Sequence, residues 1–363
     1  GDDFVLFPLS VTRQKGKRLM GVVFDIKRGV NIAYFLSQST HRGSTRANYF
    51  TARDIQTIKD YGFDHIRLPI DEEQMFKADG SKDKDAFDLL KWTIDYCIKK
   101  DLKVIVDMHI LRSHHFSSGG NTLFDDQSAQ EAFYEMWRQI SGELNEFPNS
   151  MLAYELLNEP QAYRKEDWNN LVRNCYNAIR ELEPERVIVI GTNPSQSYQG
   201  AKYLEIPKND KNIIISFHYY NPFLLTHYRA SWTSQKDFNG KVHYPGVTLT
   251  QEDFDAAHCP QEAKSVVQSY IGEFYDRAVF RKHFNVVLDL AAKYGLPVYC
   301  GEYGCLPSVP EEDRLAWHSD METVFDQLGI SRAIWCYKDS KTGFGIIKDG
   351  KPDEPMLKAI HMK

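Results

Sequence analysis

The sequence predicts an α/β fold, a (β/α)8 TIM barrel with a short N-terminal β-hairpin, and three observations carry that prediction. Eight short apolar stretches between Arg28 and Trp335 alternate with stretches of mostly helical period, the pattern of a parallel sheet wrapped by helices. Seven of the eight carry a polar or aromatic residue at or near the carboxyl end, as expected where strand ends present chemistry on one rim. No Gly-x-Gly-x-x-Gly follows the first strand and no Walker loop occurs, which disfavours a doubly wound nucleotide-binding sheet. A length of 363 residues suits one barrel, so residues 1–363 are expected to form a single domain.

Residues 1–27 alternate apolar stretches with Arg13-Gln-Lys-Gly-Lys-Arg18 and read as the hairpin. The first strand runs from Arg28 to Ala33. Thr51-Ala-Arg-Asp54 opens a helix with a Thr cap and an acid in its first turn. The second strand, Asp64 to Pro69, puts Arg67 near its carboxyl end. An amphipathic helix from Asp85 to Lys100 precedes the third strand, Lys103 to His109. Phe133, Met136, Trp137, Ile140 and Leu144 recur at spacings of three and four, so Gln127 to Glu146 is helical.

The fourth strand, Leu152 to Leu157, stops at Asn158-Glu159. Pro160 lacks a backbone donor and biases Glu159 toward an extended conformation. A helix from Trp168 to Leu182 ends at Glu183-Pro184, and the fifth and sixth strands are Val187–Gly191 and Asn212–Tyr220. Residues Asn221 to Cys259 carry aromatic residues, Pro and Gly without helical period, and a loop that long is usually functional. One or two helices over Gln261–Tyr294 lead to the seventh strand, Leu296 to Glu302. A helix over Glu311–Leu328 leads to the eighth strand, Ser331 to Trp335, and Pro355–Met362 forms a closing helix.

Net charge is −6 and no basic tract occurs, so nucleic acid is not an expected partner. No apolar run approaches the ~20 residues of a membrane helix. The six cysteines have no metal-binding spacing; a disulfide among Cys300, Cys305 and Cys336 stays open. His109 with His114 and His115 lacks the His-x-x-x-His helix spacing, and no metal is expected.

The strand ends bring together Asn31, Arg67, His109, Asn158, Glu159, His218, Tyr220, Glu302 and Trp335. Any one of them is unremarkable. Together they put two glutamates, from the fourth and seventh strands, on the rim where such barrels do chemistry. Hydrolysis of a glycosidic bond needs that kind of carboxyl pair.

Arg28-Gly-Val-Asn31, Ile66-Arg-Leu-Pro69 and Leu157-Asn-Glu-Pro160 occur in this order with Phe217-His-Tyr-Tyr-Asn-Pro-Phe223, Gly301-Glu-Tyr-Gly304 and Ile334-Trp335. This set resembles glycoside hydrolase family 5, the cellulase family, over Arg28 to Trp335, and the stretch from His218 to Trp232 looks like its β-1,4-glucanase members. The resemblance implies a retaining hydrolase of β-1,4-linked glucan, with Glu159 as acid/base and Glu302 as nucleophile. Arg67 and the Tyr220 hydroxyl would hold Glu302 ionised, while burial and that charge would keep Glu159 protonated. Asn158 would bind the sugar 2-hydroxyl, His218 would orient Glu159, and His109 would hold another hydroxyl, with Asn31, Arg67 and Tyr220 also counted among the substrate-binding residues. Trp335 resembles the family's stacking platform, followed by a cis Trp335–Cys336 bond, and Trp232 and Tyr303 are further candidate platforms. The family usually has two adjacent histidines after the third strand, whereas Ile110 follows His109 here. The Ser- and Gly-rich loop from Leu111 to Phe124 reads as a mobile wall. The family reading implies no cofactor, a β-linked polysaccharide or oligosaccharide as partner, a monomer, and a secreted, periplasmic or cell-surface location. A β-mannanase, an exo-β-glucosidase and a non-catalytic carbohydrate-binding barrel are the alternatives.

Overall fold

The computed structural model describes residues 21–362. Eight parallel strands close into a barrel: β1 (Arg28–Asn31), β2 (His65–Asp71), β3 (Lys103–Ile110), β4 (Leu152–Glu155), β5 (Val187–Gly191), β6 (Ile213–Tyr219), β7 (Val298–Tyr303) and β8 (Ser331–Ile334). Each pairs with its sequence neighbours, and β8 returns to β1 through Arg28↔Arg332 to Val30↔Ile334. All eight expected strands are present. The expected hairpin at 1–27 lies mostly outside the described residues, and residues 21–27 form no strand. Val22, Phe24 and Ile26 instead pack against the apolar layer of Ile105, Ala153, Val187, Val189, Ile214, Tyr299 and Ala333.

Among the described residues the helices that follow the strands are α1 (Ala52–Asp60), α2 (Lys84–Lys99), α3 (Gln127–Leu144), α4 (Lys165–Leu182), α5 (Arg277–Tyr294), α6 (Glu311–Leu328) and α7 (Glu354–Ala359), with shorter helices in the loops. Their starts follow local chemistry. Thr51 and Asp54 bond to each other across the first turn of α1, with the Thr51 amide donating to Asp54 Oδ2 at 2.8 Å. Asp83, Asp126 and Asp276 cap α2, α3 and α5 by accepting from amides in their first turns. One connection departs from strict alternation: between β5 and β6 stands only a 3-10 helix, Tyr198–Tyr203.

The inner faces of the strands decide where the site can be. Side chains alternate across a strand, so Ile105, Asp107 and His109 share one face of β3, and Ala153 and Glu155 share one face of β4. Below lies the apolar layer; above it Arg67, Asp107 and Glu155 are all fully buried. A barrel interior that turns ionic toward the carboxyl ends of its strands is a scaffold for chemistry at that end.

Candidate active site

Arg67 is the hub. Its side chain is inaccessible to solvent, and all five of its N–H groups have protein acceptors. Nε donates to Glu155 Oε2 at 2.8 Å, and Nη1 donates to Asn31 Oδ1 at 3.0 Å and Glu302 Oε1 at 2.8 Å. Nη2 donates to Glu155 Oε1 at 3.0 Å and Asn158 Oδ1 at 2.9 Å, with Asp107 Oδ2 3.1 Å away. Asn31 is closed in the same way, its amide nitrogen donating to the carbonyl of Gly301 at 2.8 Å. Both were expected to bind substrate. With their donors used inside the protein, they hold the groups that do.

Glu302 stands at a bulge in β7. Phe217 pairs with Cys300 and His218 with Glu302, which leaves Gly301 as the extra residue. A Cβ on Gly301 would stand 3.1 Å from His218 Nε2 and 3.4 Å from Arg67 Nε, so a side chain there would crowd both. Tyr220 completes the cradle by donating its hydroxyl to Glu302 Oε2 at 2.8 Å.

Glu159 is held from the opposite wall. Its backbone has φ 42°, not the extended form that Pro160 favours. A non-glycine residue there costs on the order of 1–3 kcal/mol, and two contacts hold it. The Glu159 amide donates to Gln196 Oε1 at 2.8 Å, and its Oε1 pairs with His218 Nδ1 at 2.9 Å. One oxygen of Glu159 lies within 4.8 Å of one oxygen of Glu302, with a His218 nitrogen inside the same radius.

Burial pushes the Glu159 carboxyl well above its ordinary range, and the neighbouring Glu302 charge pushes it further. Burial also raises Glu302, against the opposing pull of Arg67, His109 and Tyr220. The expected pull on Glu302 is present, but burial outweighs it. Glu159, with no cation in contact, is the carboxyl that keeps the proton. Burial holds His218 neutral.

Two buried side-chain nitrogens of the site face no protein partner. Asn158 Nδ2 and His218 Nε2 make no hydrogen bond, although burial of an unpaired polar atom costs about 1–3 kcal/mol. His109 is set by Asp107, whose Oδ2 lies 2.6 Å from His109 Nδ1. Its ring lies nearly parallel to Trp335, 5.8 Å away at 12°. Trp335 sits among Tyr34, Ala230, Leu306 and Phe344, and the Trp335–Cys336 bond is cis as expected.

Other expectations divide. Trp232 is half exposed and reaches the site through His227 and Phe344, with ring centroids 6.0 and 6.4 Å away. Tyr303 is buried with its hydroxyl on Glu322, behind the sheet, and offers no platform. All six cysteines are free thiols, so the possible bridge among Cys300, Cys305 and Cys336 is not formed. The loop from Leu111 to Phe124 is stapled rather than loose: Ser113 accepts from the amides of Thr122 and Leu123, and Asn121 brackets His115.

Three important residues escaped the reading of the sequence. Asp107 and Glu155 were visible as lone acids inside apolar strands, and Asp107 stands two residues before His109, on the same face. Gln196 had no signal. It arrives through a turn in which Ser195 and Gln196 have φ of 54° and 51°, and Gly191 leaves the space that its side chain fills.

The profile of Cellulase (glycosyl hydrolase family 5) matches residues 29–341. The chain belongs to this family. It is 32% identical over 335 residues to Endoglucanase C of Acetivibrio thermocellus, covering 90% of this chain and 95% of that protein. It is 30% identical over 311 residues to Cellodextrinase A of Ruminococcus flavefaciens, covering 85% and 84%. Among solved structures it resembles the cellulose synthase subunit Z of Clostridioides difficile, with TM-score 0.73, 25% identity and coverage of 93% and 99%. A structure described as an endoglucanase gives TM-score 0.72 at 26% identity, covering 92% and 96%.

Proposed function

We infer that this glycoside hydrolase cleaves β-1,4-linked glucan by double displacement, with Glu302 as nucleophile and Glu159 as acid/base. The observation that carries the reading is that one carboxyl oxygen of Glu159 comes within 4.8 Å of one of Glu302. A retaining pair stands about 5–5.5 Å apart, and an inverting pair needs about 6.5–9.5 Å to admit water between them.

In the first step a Glu302 oxygen bonds to the anomeric carbon while the bond to the leaving oxygen breaks, and Glu159 gives its proton to that oxygen. Glu302 loses its charge in the ester. The upward push of the Glu302 charge on the Glu159 pKa then disappears, and the Glu159 carboxylate can take a proton from water. The water oxygen bonds to the same carbon, and the ester bond returns its electrons to Glu302. Asn158 Nδ2, buried and unpartnered, is placed to bond the sugar 2-hydroxyl, where a hydrogen bond strengthens in the transition state. Neutral His218 orients Glu159, His109 presents its free ring nitrogen to a second hydroxyl, and Trp335 supports the ring.

All of these residues come from one chain, which supports a monomer acting as a single catalytic domain. No helix among the described residues is long and apolar enough to cross a membrane. A polymeric substrate too large to cross a membrane argues for a secreted, periplasmic or cell-surface enzyme.

The test is a panel of soluble β-glucans, xyloglucan and β-mannan with products resolved by size, and with the anomer of the first product read by NMR. Glucan cleavage with retention is expected. Faster cleavage of mannan, or inversion, would overturn the reading.

A further inference from the structure

Outside the catalytic cradle, a groove of about 510 Å³ lies beside the acid/base strand. It is lined by Pro194, Ser195, Ser197, Gln199, Lys202 and Tyr203, all from the segment that follows β5. That volume lies within the range of small-ligand sites. Its lining is hydroxyl, amide and ammonium groups around one half-exposed ring, which is the chemistry that polyhydroxylated ligands require.

The groove is tied to the catalytic acid. Gln161 Nε2 donates both to Ser195 Oγ at 2.7 Å and to the carbonyl of Glu159 at 3.1 Å. Ser195 and Gln196 form consecutive left-handed residues of one turn. Gln196 points inward to the Glu159 amide, while Ser195 faces the groove. Asn193 and Ala162 exchange a pair of hydrogen bonds, at 2.9 and 3.0 Å, which lock the loops after β4 and β5 together. Next to Ala162 stands Tyr163, a ring fully open to solvent. Such exposure is unusual for a large aromatic side chain. Tyr203 is oriented by Lys202 and Lys165, whose ammonium groups lie 4.8 and 5.8 Å from its centroid.

The path of a substrate follows from the barrel order. Trp335 follows β8 and Glu302 lies on β7, whereas Glu159 follows β4 across the mouth. A sugar on Trp335, attacked by Glu302, therefore directs its leaving half toward the loops after β4 and β5. We propose that the groove from Ser195 to Tyr203, with Tyr163 one residue beyond the Asn193–Ala162 pair that joins the two loops, binds distal sugar units on the leaving side of a β-linked glucan chain. This rests on the hydrolase reading above. Contacts remote from the scissile bond can raise turnover of long substrates while leaving short ones unaffected.

The test compares Tyr203→Ala and Tyr163→Ala with wild type on two substrates: an aryl β-cellobioside, whose leaving group is too short to reach the groove, and cellohexaose. We expect the double variant to keep kcat/KM within twofold on the aryl cellobioside, which also verifies its fold. On cellohexaose it should lose at least fivefold and release a different distribution of products. Equal kcat/KM and unchanged products on cellohexaose would overturn the groove while leaving the hydrolase reading intact. An equal loss on both substrates would also overturn it, by showing general damage. If wild type cleaves neither substrate, the hydrolase reading falls, and the groove falls with it.

Discussion

Arg67 Nη1 donates to Glu302 Oε1 at 2.8 Å from a side chain with no solvent exposure. The same guanidinium faces Glu155 and Asp107, so one cation serves three buried carboxyls. Structure and chemistry depend on the same contact. Removing one partner of a buried ion pair costs about 3–5 kcal/mol, because the remaining charges lose their compensation. Arg67→Met is expected to lower stability by at least that order in chemical denaturation and to lower kcat by more than a hundredfold. A variant with wild-type stability and activity would show that Arg67 is not the hub.

The two glutamates should separate by leaving-group chemistry. Glu159→Ala removes the proton donor, an effect typically of about 10²–10⁴-fold. We expect a loss of that size on cello-oligosaccharides and a much smaller loss on a dinitrophenyl cellobioside, whose leaving group needs no proton. Added azide should restore turnover and yield a β-glycosyl azide. Glu302→Gln should lose activity on both substrates, with no rescue of this kind. Azide rescue of the Glu302 variant through a β-product would reverse the two assignments.

Activity requires Glu302 ionised and Glu159 protonated, so the pH profile of kcat/KM should be a bell. Its acid limb belongs to Glu302 and its basic limb to Glu159, whose pKa is raised the further of the two. The Tyr220 hydroxyl bond lowers the Glu302 pKa. Its removal in Tyr220→Phe should therefore move the acid limb to higher pH and leave the basic limb nearly in place. An acid limb that stays still or moves down would contradict this cradle.

Acid should unfold the protein through histidines buried neutral. Burial lowers His109 and His114 to about 4, and His318 to about 3, from an ordinary 6.5. Below pH 6.5 the unfolded chain takes up protons that the folded chain refuses, so stability falls as pH drops toward those values. A group of this kind should cost roughly 2–3 kcal/mol by pH 4.5, at 1.36 kcal/mol per unit. His318→Gln is expected to show a smaller fall in Tm between pH 7 and 4.5 than wild type. An equal fall in both proteins would remove His318 from the account.

Trp232 and Tyr303, indistinguishable as platforms in the sequence, should behave in opposite ways. Trp232→Ala is expected to raise KM on soluble glucan about fivefold, or about 1 kcal/mol of stacking, with kcat within twofold. Tyr303→Phe leaves the buried Glu322 carboxylate without a partner on that side, so it should lower Tm and leave KM unchanged. The reverse pattern would place Tyr303, not Trp232, in the cleft.

The barrel was legible because its signals are local. Strand and helix periods, the Thr51 cap and the strand-end positions of Glu159 and Glu302 all follow from residues a few positions apart. The sequence by itself determined the eight strands, the family motifs and the chemical type of the site.

Tertiary structure decided what each group touches. Asn31 and Arg67 read as substrate contacts until their donors were found on Glu302, Glu155, Asn158 and backbone carbonyls. Gln196 had no role in the sequence because its bond to the Glu159 amide spans 37 positions and depends on a left-handed turn. The backbone of Glu159 itself went against its local preference, held by Gln196 and His218. Hydrogen bonding and desolvation are settled by which atoms meet after the chain closes on itself, and local propensity carries little information about such meetings.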